Sequence, residues 1–87
     1  MKYRIQIRPQ ALKALKKIDE PDQSRIMRRI DSLASDPRPE GVKKLQGEDD
    51  FYRIRVGDYR VVYQIEDDVL LVLVARVAHR KDVYRKG

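Results

Sequence analysis

Gly57-Asp58 stands between two alternating runs, FYRIRV at 51–56 and YRVVYQIE at 59–66, and no other stretch of the chain constrains its fold so strongly. Residues that alternate with a period of two form strands whose side chains point to opposite faces. Gly at the first central position of a two-residue loop is what a type II′ hairpin turn requires. Counting outward from that turn pairs Val56 with Tyr59, Arg55 with Arg60, Ile54 with Val61, Arg53 with Val62 and Tyr52 with Tyr63. One face of the hairpin is therefore apolar and aromatic, and the other carries three guanidinium groups, two of them directly opposed. Like charges facing each other across a sheet cost roughly a few tenths of a kcal/mol or more. A bound polyanion is the simplest agent that would favour the pair.

The remaining periodicities complete an α+β order, β-α-α-β-β-β. Tyr3, Ile5 and Ile7 alternate with Lys2, Arg4 and Gln6 as a half-buried strand. Pro9 suits the first turn of a helix, where its missing N–H is no loss. Leu12, Leu15 and Ile18 follow as that helix's apolar stripe. A second helix carries Ile26, Met27, Ile30, Leu33 and Ala34, and Pro37 and Pro39 end it. The pair is predicted to form an antiparallel hairpin on one face of a mainly antiparallel, four-stranded sheet, and Val42–Asp50 to be an irregular connection. The run from Val69 to Ala78 is apolar on both faces, as expected of a strand inside the sheet. If its turn after Glu66 has two residues, Arg60 lies across from Ala75, and one face continues through Val77 to His79. That register would bring His79, Arg80 and Tyr84 towards Arg55 and Arg60.

Length and composition bound what such a domain can do. At 87 residues the chain is read as one domain spanning 1–87. There is no cysteine and one histidine, so disulfides and thiolate chemistry are excluded and a dedicated metal or other cofactor is not expected. No apolar run approaches the ~20 residues of a membrane span, and the N-terminus lacks a signal peptide's apolar core, so the cytoplasm is the expected location. The net charge is +6. Residues 1–50 hold 12 basic and 9 acidic groups and residues 51–87 hold 8 and 5, so the excess is spread over the folded surface rather than concentrated in a tail. Nucleic acid, the ribosome or an acidic protein would match it.

An arginine cluster binds phosphate oxygens bidentately and stabilises growing negative charge, but it is a poor general base. It suits cleavage of RNA without a metal: the substrate's 2′-hydroxyl attacks the adjacent phosphorus, arginines hold the non-bridging oxygens, and a proton goes to the departing 5′ oxygen. His79 could donate that proton, and Tyr84 could donate one or stack on a base. Lys43, Lys44, Arg53 and Arg55 are the candidate RNA contacts, and Arg55, Arg60, Arg80, Tyr84 and His79 the candidate catalytic set. Structural roles stand beside these. Arg53 could simply be solvated, His79 and Arg80 could cap a helix or pair with Asp82, and Tyr84 could pack on the sheet. Tyr52, Tyr59 and Tyr63 fall on the apolar face and are read as core.

Two stretches, KLQGEDDFYRIRVGDYRVVY at 44–63 and VARVAHRKDVY at 74–84, resemble the RelE/ParE superfamily of bacterial and archaeal toxins, and within it the RelE branch. The likeness covers nearly the whole chain. It implies a RelE-like fold and a toxin of a type II toxin-antitoxin system: an endoribonuclease that enters the ribosomal A site, cuts messenger RNA between codon bases and is silenced by a cognate antitoxin in a hetero-oligomeric complex. It also implies roles by position. Arg53 and Arg55 occupy two basic positions that are lysines in the best-studied RelE, Arg60 matches the arginine after the hairpin, Arg80 the arginine after the last strand, and Tyr84 the tyrosine near the C-terminus. Arginine cannot readily replace a lysine that acts as base, which leaves a neighbouring group, solvent or the ribosome for that step. The ParE branch shares the fold, acts on DNA gyrase and lacks this set; a gyrase inhibitor and a non-catalytic RNA- or ribosome-binding module are the alternatives.

Overall fold

A computed structural model describes residues 2–45 and 51–83. The N-terminal alternation forms β1 (Arg4–Ile7), which runs directly into α1 (Pro9–Lys16) with the proline in its first turn. α2 (Asp22–Ser32) follows after a short connection. Its first turn is tied down by Glu20, whose carboxylate accepts hydrogen bonds from the Ser24 backbone N–H at 3.0 Å and the Ser24 hydroxyl at 2.8 Å. Both helices turn their apolar stripes onto the same core. Ile26 and Ile30 from α2 and Leu33 at its C-terminal cap are fully buried there, each such burial being worth about 1.5–3 kcal/mol. In α1 the stripe is Ala11 and Leu15, with Ile18 packed against the core, while Leu12 remains 38% exposed. The i, i+4 pair Ala11/Leu15 faces the sheet, and the bulkier side chain beside it is turned outward.

The sheet has five strands rather than four, in the order β1-β5-β4-β3-β2. The extra one is β2 (Lys43–Lys44), a two-residue strand within the stretch expected to be irregular. β3 (Phe51–Val56) and β4 (Tyr59–Glu66) form the predicted hairpin in the predicted register, with Arg55 opposite Arg60. Gly57 has φ 61° and Asp58 is not left-handed, the pattern of a type II′ turn. β5 (Leu71–His79) lies inside the sheet, antiparallel to β4 and parallel to β1, and leads into the short helix α3 (Arg80–Val83). Among the described residues, no helix is long and apolar enough to cross a membrane.

The β4–β5 register departs from expectation in two steps. The turn is not two residues long: Asp67–Val69 makes a 3₁₀ turn and Leu70 takes a left-handed conformation at φ 52°, so Glu66 pairs with Leu71. A β-bulge follows, for Val62 faces Arg76 while Tyr63 faces Val74, leaving Ala75 as the extra residue. The carbonyl of Ala75 accepts a hydrogen bond from the Gln10 side chain on α1 at 3.3 Å. Shifting the register by two keeps every side chain on its face, but one further residue reverses them. Arg60 therefore faces Ala78, not Ala75.

The loop after α2 is fastened to the far end of the sheet. Tyr63 is completely buried and donates its hydroxyl proton to the Pro37 carbonyl at 2.7 Å; burial pushes its phenol pKa up, so it remains a donor. Arg38 lies over the Tyr52 ring at 5.2 Å and donates twice to Asp67, at 2.9 and 3.3 Å, while the Tyr3 hydroxyl donates to the same carboxylate at 2.6 Å. The bonds from Arg38 and then Tyr3 hold the Asp67 carboxyl below its ordinary pKa. A carboxylate so depressed stabilises the folded chain above its unfolded pKa, and that contribution is lost as pH falls through the folded one. Asp67→Asn is accordingly expected to lower the thermal midpoint at neutral pH, with the gap to the parent closing as the solution is acidified below the ordinary aspartate range. Calorimetry across that range checks this, and a gap independent of pH would remove Asp67 from the acid response.

Candidate functional site: an arginine face

The face of the sheet opposite the helices is where the arginines gather. Across β3 and β4 it carries Arg53, Arg55 and Arg60, and β2 adds Lys43, which pairs with Arg53 and so shares its side. Lys44 pairs with Tyr52 and shares the other side. The bulge in β5 brings Arg76 to this face, opposite Val62. Arg55 and Arg76 are exposed and Arg53 is half-buried. Arg60 is 9% exposed, the one buried charged side chain among the described residues. A buried guanidinium is costly to desolvate, and here it stands directly across from a second cation.

Three hollows meet around these side chains. The first, about 190 Å³, lies at the hairpin turn between Arg55, Asp58, Tyr59, Arg60 and Arg80. The second, about 340 Å³, wraps the β3 edge and is lined by Arg29, Glu40, Gly41, Lys43, Arg53 and Arg55, so four side chains of one sign face a single carboxylate there. The third, about 190 Å³, has Leu45, Val62 and Ala78 with Arg53, Arg60 and Arg76 around it. Each pair of hollows shares one arginine: Arg55 divides the first from the second, Arg60 the first from the third, and Arg53 the second from the third. The three arginines of the hairpin are thus partitions within one cationic basin. A chain of phosphates could cross it with a guanidinium at every step.

Arg80 reaches the basin through the turn. Its backbone N–H donates to the Asp58 carbonyl at 2.7 Å, and its exposed guanidinium stands 4.0 Å from the Asp58 carboxylate. Two exposed groups at that distance contribute little energy, and Arg80 remains available to an anion. His79 is placed elsewhere. It pairs with Tyr59 on the helix-side face, its ring set edge-on against the Tyr59 ring at 5.0 Å, and its Nδ1 accepts the Lys81 backbone N–H at 3.1 Å. The structure therefore corrects the expectation that His79 continues the face of Arg60, and its cause is the one-residue bulge. In this position His79 caps α3, the role weighed beside the catalytic one. Tyr84 lies outside the described residues.

The sequence model of the ParE toxin of type II toxin-antitoxin systems matches residues 5–84. The chain belongs to the RelE/ParE toxin superfamily. Among its relatives are the putative toxin RelE1 of Methanocaldococcus jannaschii, 28% identical with 98% of each chain covered, and the mRNA interferase toxin RelE of Escherichia coli K12, 30% identical with 100% of this chain and 95% of that one covered. The RelE of the archaeal RelE-RelB complex from Pyrococcus horikoshii superposes with a TM-score of 0.82 at 33% identity, covering 92% of this chain and 97% of that one. This RelE/ParE protein is accordingly a RelE-like toxin of the type II systems, and its five-stranded α+β fold matches those structures.

Within this toxin Arg76 is the basin residue that sequence reasoning missed. A lone arginine in the apolar run of β5 was the available signal, but the assumed register put it on the wrong face. The burial of Arg60 yields an expectation about stability. Arg60→Met keeps the apolar stem and removes the buried charge, so its thermal midpoint should equal or exceed the parent's. A fall of several degrees in a thermal melt would instead make Arg60 a structural residue.

Proposed function

We propose that this toxin is a ribosome-dependent endoribonuclease that cuts messenger RNA in the A site. The observation that carries the reading is the basin itself, in which Arg53, Arg55 and Arg60 separate adjoining hollows and Arg80 borders the first. Its relatives named mRNA interferases lend support. In the proposed reaction the scissile phosphate sits in the first hollow. The 2′-oxygen bonds to phosphorus as its proton leaves, the bond from phosphorus to the 5′ oxygen breaks, and that oxygen takes up a proton, giving a 2′,3′-cyclic phosphate and a 5′-hydroxyl. Arg55, Arg60 and Arg80 stabilise charge on the non-bridging oxygens. Tyr84 is assigned to the departing oxygen or to stacking on a base, and Arg53 and Lys43 to the flanking backbone, whereas Lys44, paired with Tyr52 on the other side of the sheet, is given no part in it. His79 is given a positioning role through α3 rather than proton transfer. None of the arginines can serve as base, so solvent or the ribosome takes the first proton, and free RNA should be a poor substrate.

A cognate antitoxin is the proposed partner, since relatives were solved as RelE-RelB complexes. An acidic segment of that antitoxin lying on the basin would silence it, and the two would meet in the cytoplasm. Primer extension on a defined message in a purified translation system tests the reading. With 70S ribosomes the chain should cut at codon positions, and Arg60→Ala should lower the rate about 100-fold or more. Message left intact while translation continues would sink the ribonuclease and favour a gyrase inhibitor of the ParE kind. Tyr84→Phe should slow cleavage more than it weakens ribosome binding, compared by single-turnover rates and co-sedimentation; equal effects would take Tyr84 out of the chemistry.

A further inference from the structure

The third hollow differs in chemistry from its two neighbours. Its floor is apolar, built from Leu45, Val62 and Ala78, whereas only Ile54 offers an aliphatic side chain to the other two. A phosphate gains nothing from such a floor. A flat, weakly hydrated ring does, because burying its faces removes apolar surface from water and guanidinium planes stack on it. The polar side chains around the hollow, those of Arg53, Arg60 and Arg76, are donors only, since an arginine offers five N–H groups and no acceptor. Arg60 also borders the first hollow, so the nucleotide whose phosphate lies there can place its base in the third.

We infer that the third hollow is a nucleobase pocket and that Arg76 selects bases with a carbonyl oxygen at purine C6 or pyrimidine C4, guanine and uracil, over those with an amino group at that position, adenine and cytosine. An amino group turned towards the rim would meet only donors, leaving its N–H unpaired against a cation. Guanine offers two acceptors on its Hoogsteen edge and uracil offers its carbonyls. Arg76 is exposed, lies opposite Val62 and owes its place to the Ala75 bulge, so the same irregularity that turns His79 away supplies the selecting group. The inference rests on the RNA reading of the basin and adds a base preference to it.

The test uses the full chain and uncleavable 2′-O-methyl trinucleotides in which one position carries guanine, uracil, adenine, cytosine or no base and the other two are abasic. Fluorescence anisotropy should show the guanine and uracil probes binding about tenfold more tightly than the other three. Arg76→Met should bring all four bases within about twofold of one another. Ala78→Leu, which fills the floor, should reduce every base to the level of the abasic probe while leaving that probe unchanged. A thermal melt confirms that each variant is folded. Equal binding of all five probes by the parent overturns the pocket even if the ribosome assay shows cleavage, in which case the ribonuclease stands without it. Base-selective binding lost in Arg76→Met supports the pocket even if no message is cut. Should both variants weaken antitoxin capture while the five probes bind alike, the hollow belongs to the protein partner and the base assignment falls.

Discussion

Ala75 has no partner in β4, since Val62 stands across from Arg76 and Tyr63 from Val74, and the side chains that can meet on either face of the sheet follow from that pairing. On one side of the bulge Val72 and Val74 face the helices; on the other Val77 and His79 do. Without the extra residue, a strand apolar on both faces would send Arg76 into the core and leave His79 beside Arg60. The bulge is held from outside the sheet by the Gln10 side chain on the Ala75 carbonyl, which links the start of α1 to the composition of the arginine face. A bulge also increases local twist.

The stability of the two ends of the sheet is unevenly distributed. At the end away from the basin, a fully buried tyrosine, a cation over an aromatic ring and a carboxylate with two donors hold the loop after α2 against the β4–β5 turn. At the hairpin end, Arg55 opposes Arg60 and Arg60 is buried. A sequence shaped for stability alone would place an apolar pair there, as it does one step inward with Ile54 and Val61. Local departures of this kind are expected where a site needs them, with neighbouring packing supplying the compensation.

How far the sequence was legible follows from the same particulars. The β3–β4 register was readable because a two-residue turn admits one alignment and Gly57 marked it. The β4–β5 register was not, because a 3₁₀ turn closing on a left-handed Leu70 uses a residue that gives no warning of that conformation, and a bulge at an alanine has no signature at all. β2 was invisible because two residues carry no period. Leu12 was assigned to the core because apolar residues spaced by three or four satisfy two overlapping stripes, and only packing shows that Ala11 lies inward. Arg53, Arg55 and Arg60 were readable as a group through the hairpin, whereas Arg76 and His79 depended on the register that could not be read.

A fold of this kind can host unrelated functions, so the architecture itself carries no reaction. Discrimination has to come from the open face, which the core leaves free to vary: the helices pack on the Ile54, Val61 and Val77 side, and no core contact requires a cation at 53, 55 or 76. Four arginines concentrated where the core makes no demand, one of them buried at a cost, are difficult to attribute to folding. Their arrangement around hollows of unlike lining, polar at the turn and apolar beside Ala78, matches a polymer that alternates charged phosphates with flat rings. A protein surface that presented only carboxylates would complement the cations and leave the apolar floor unused.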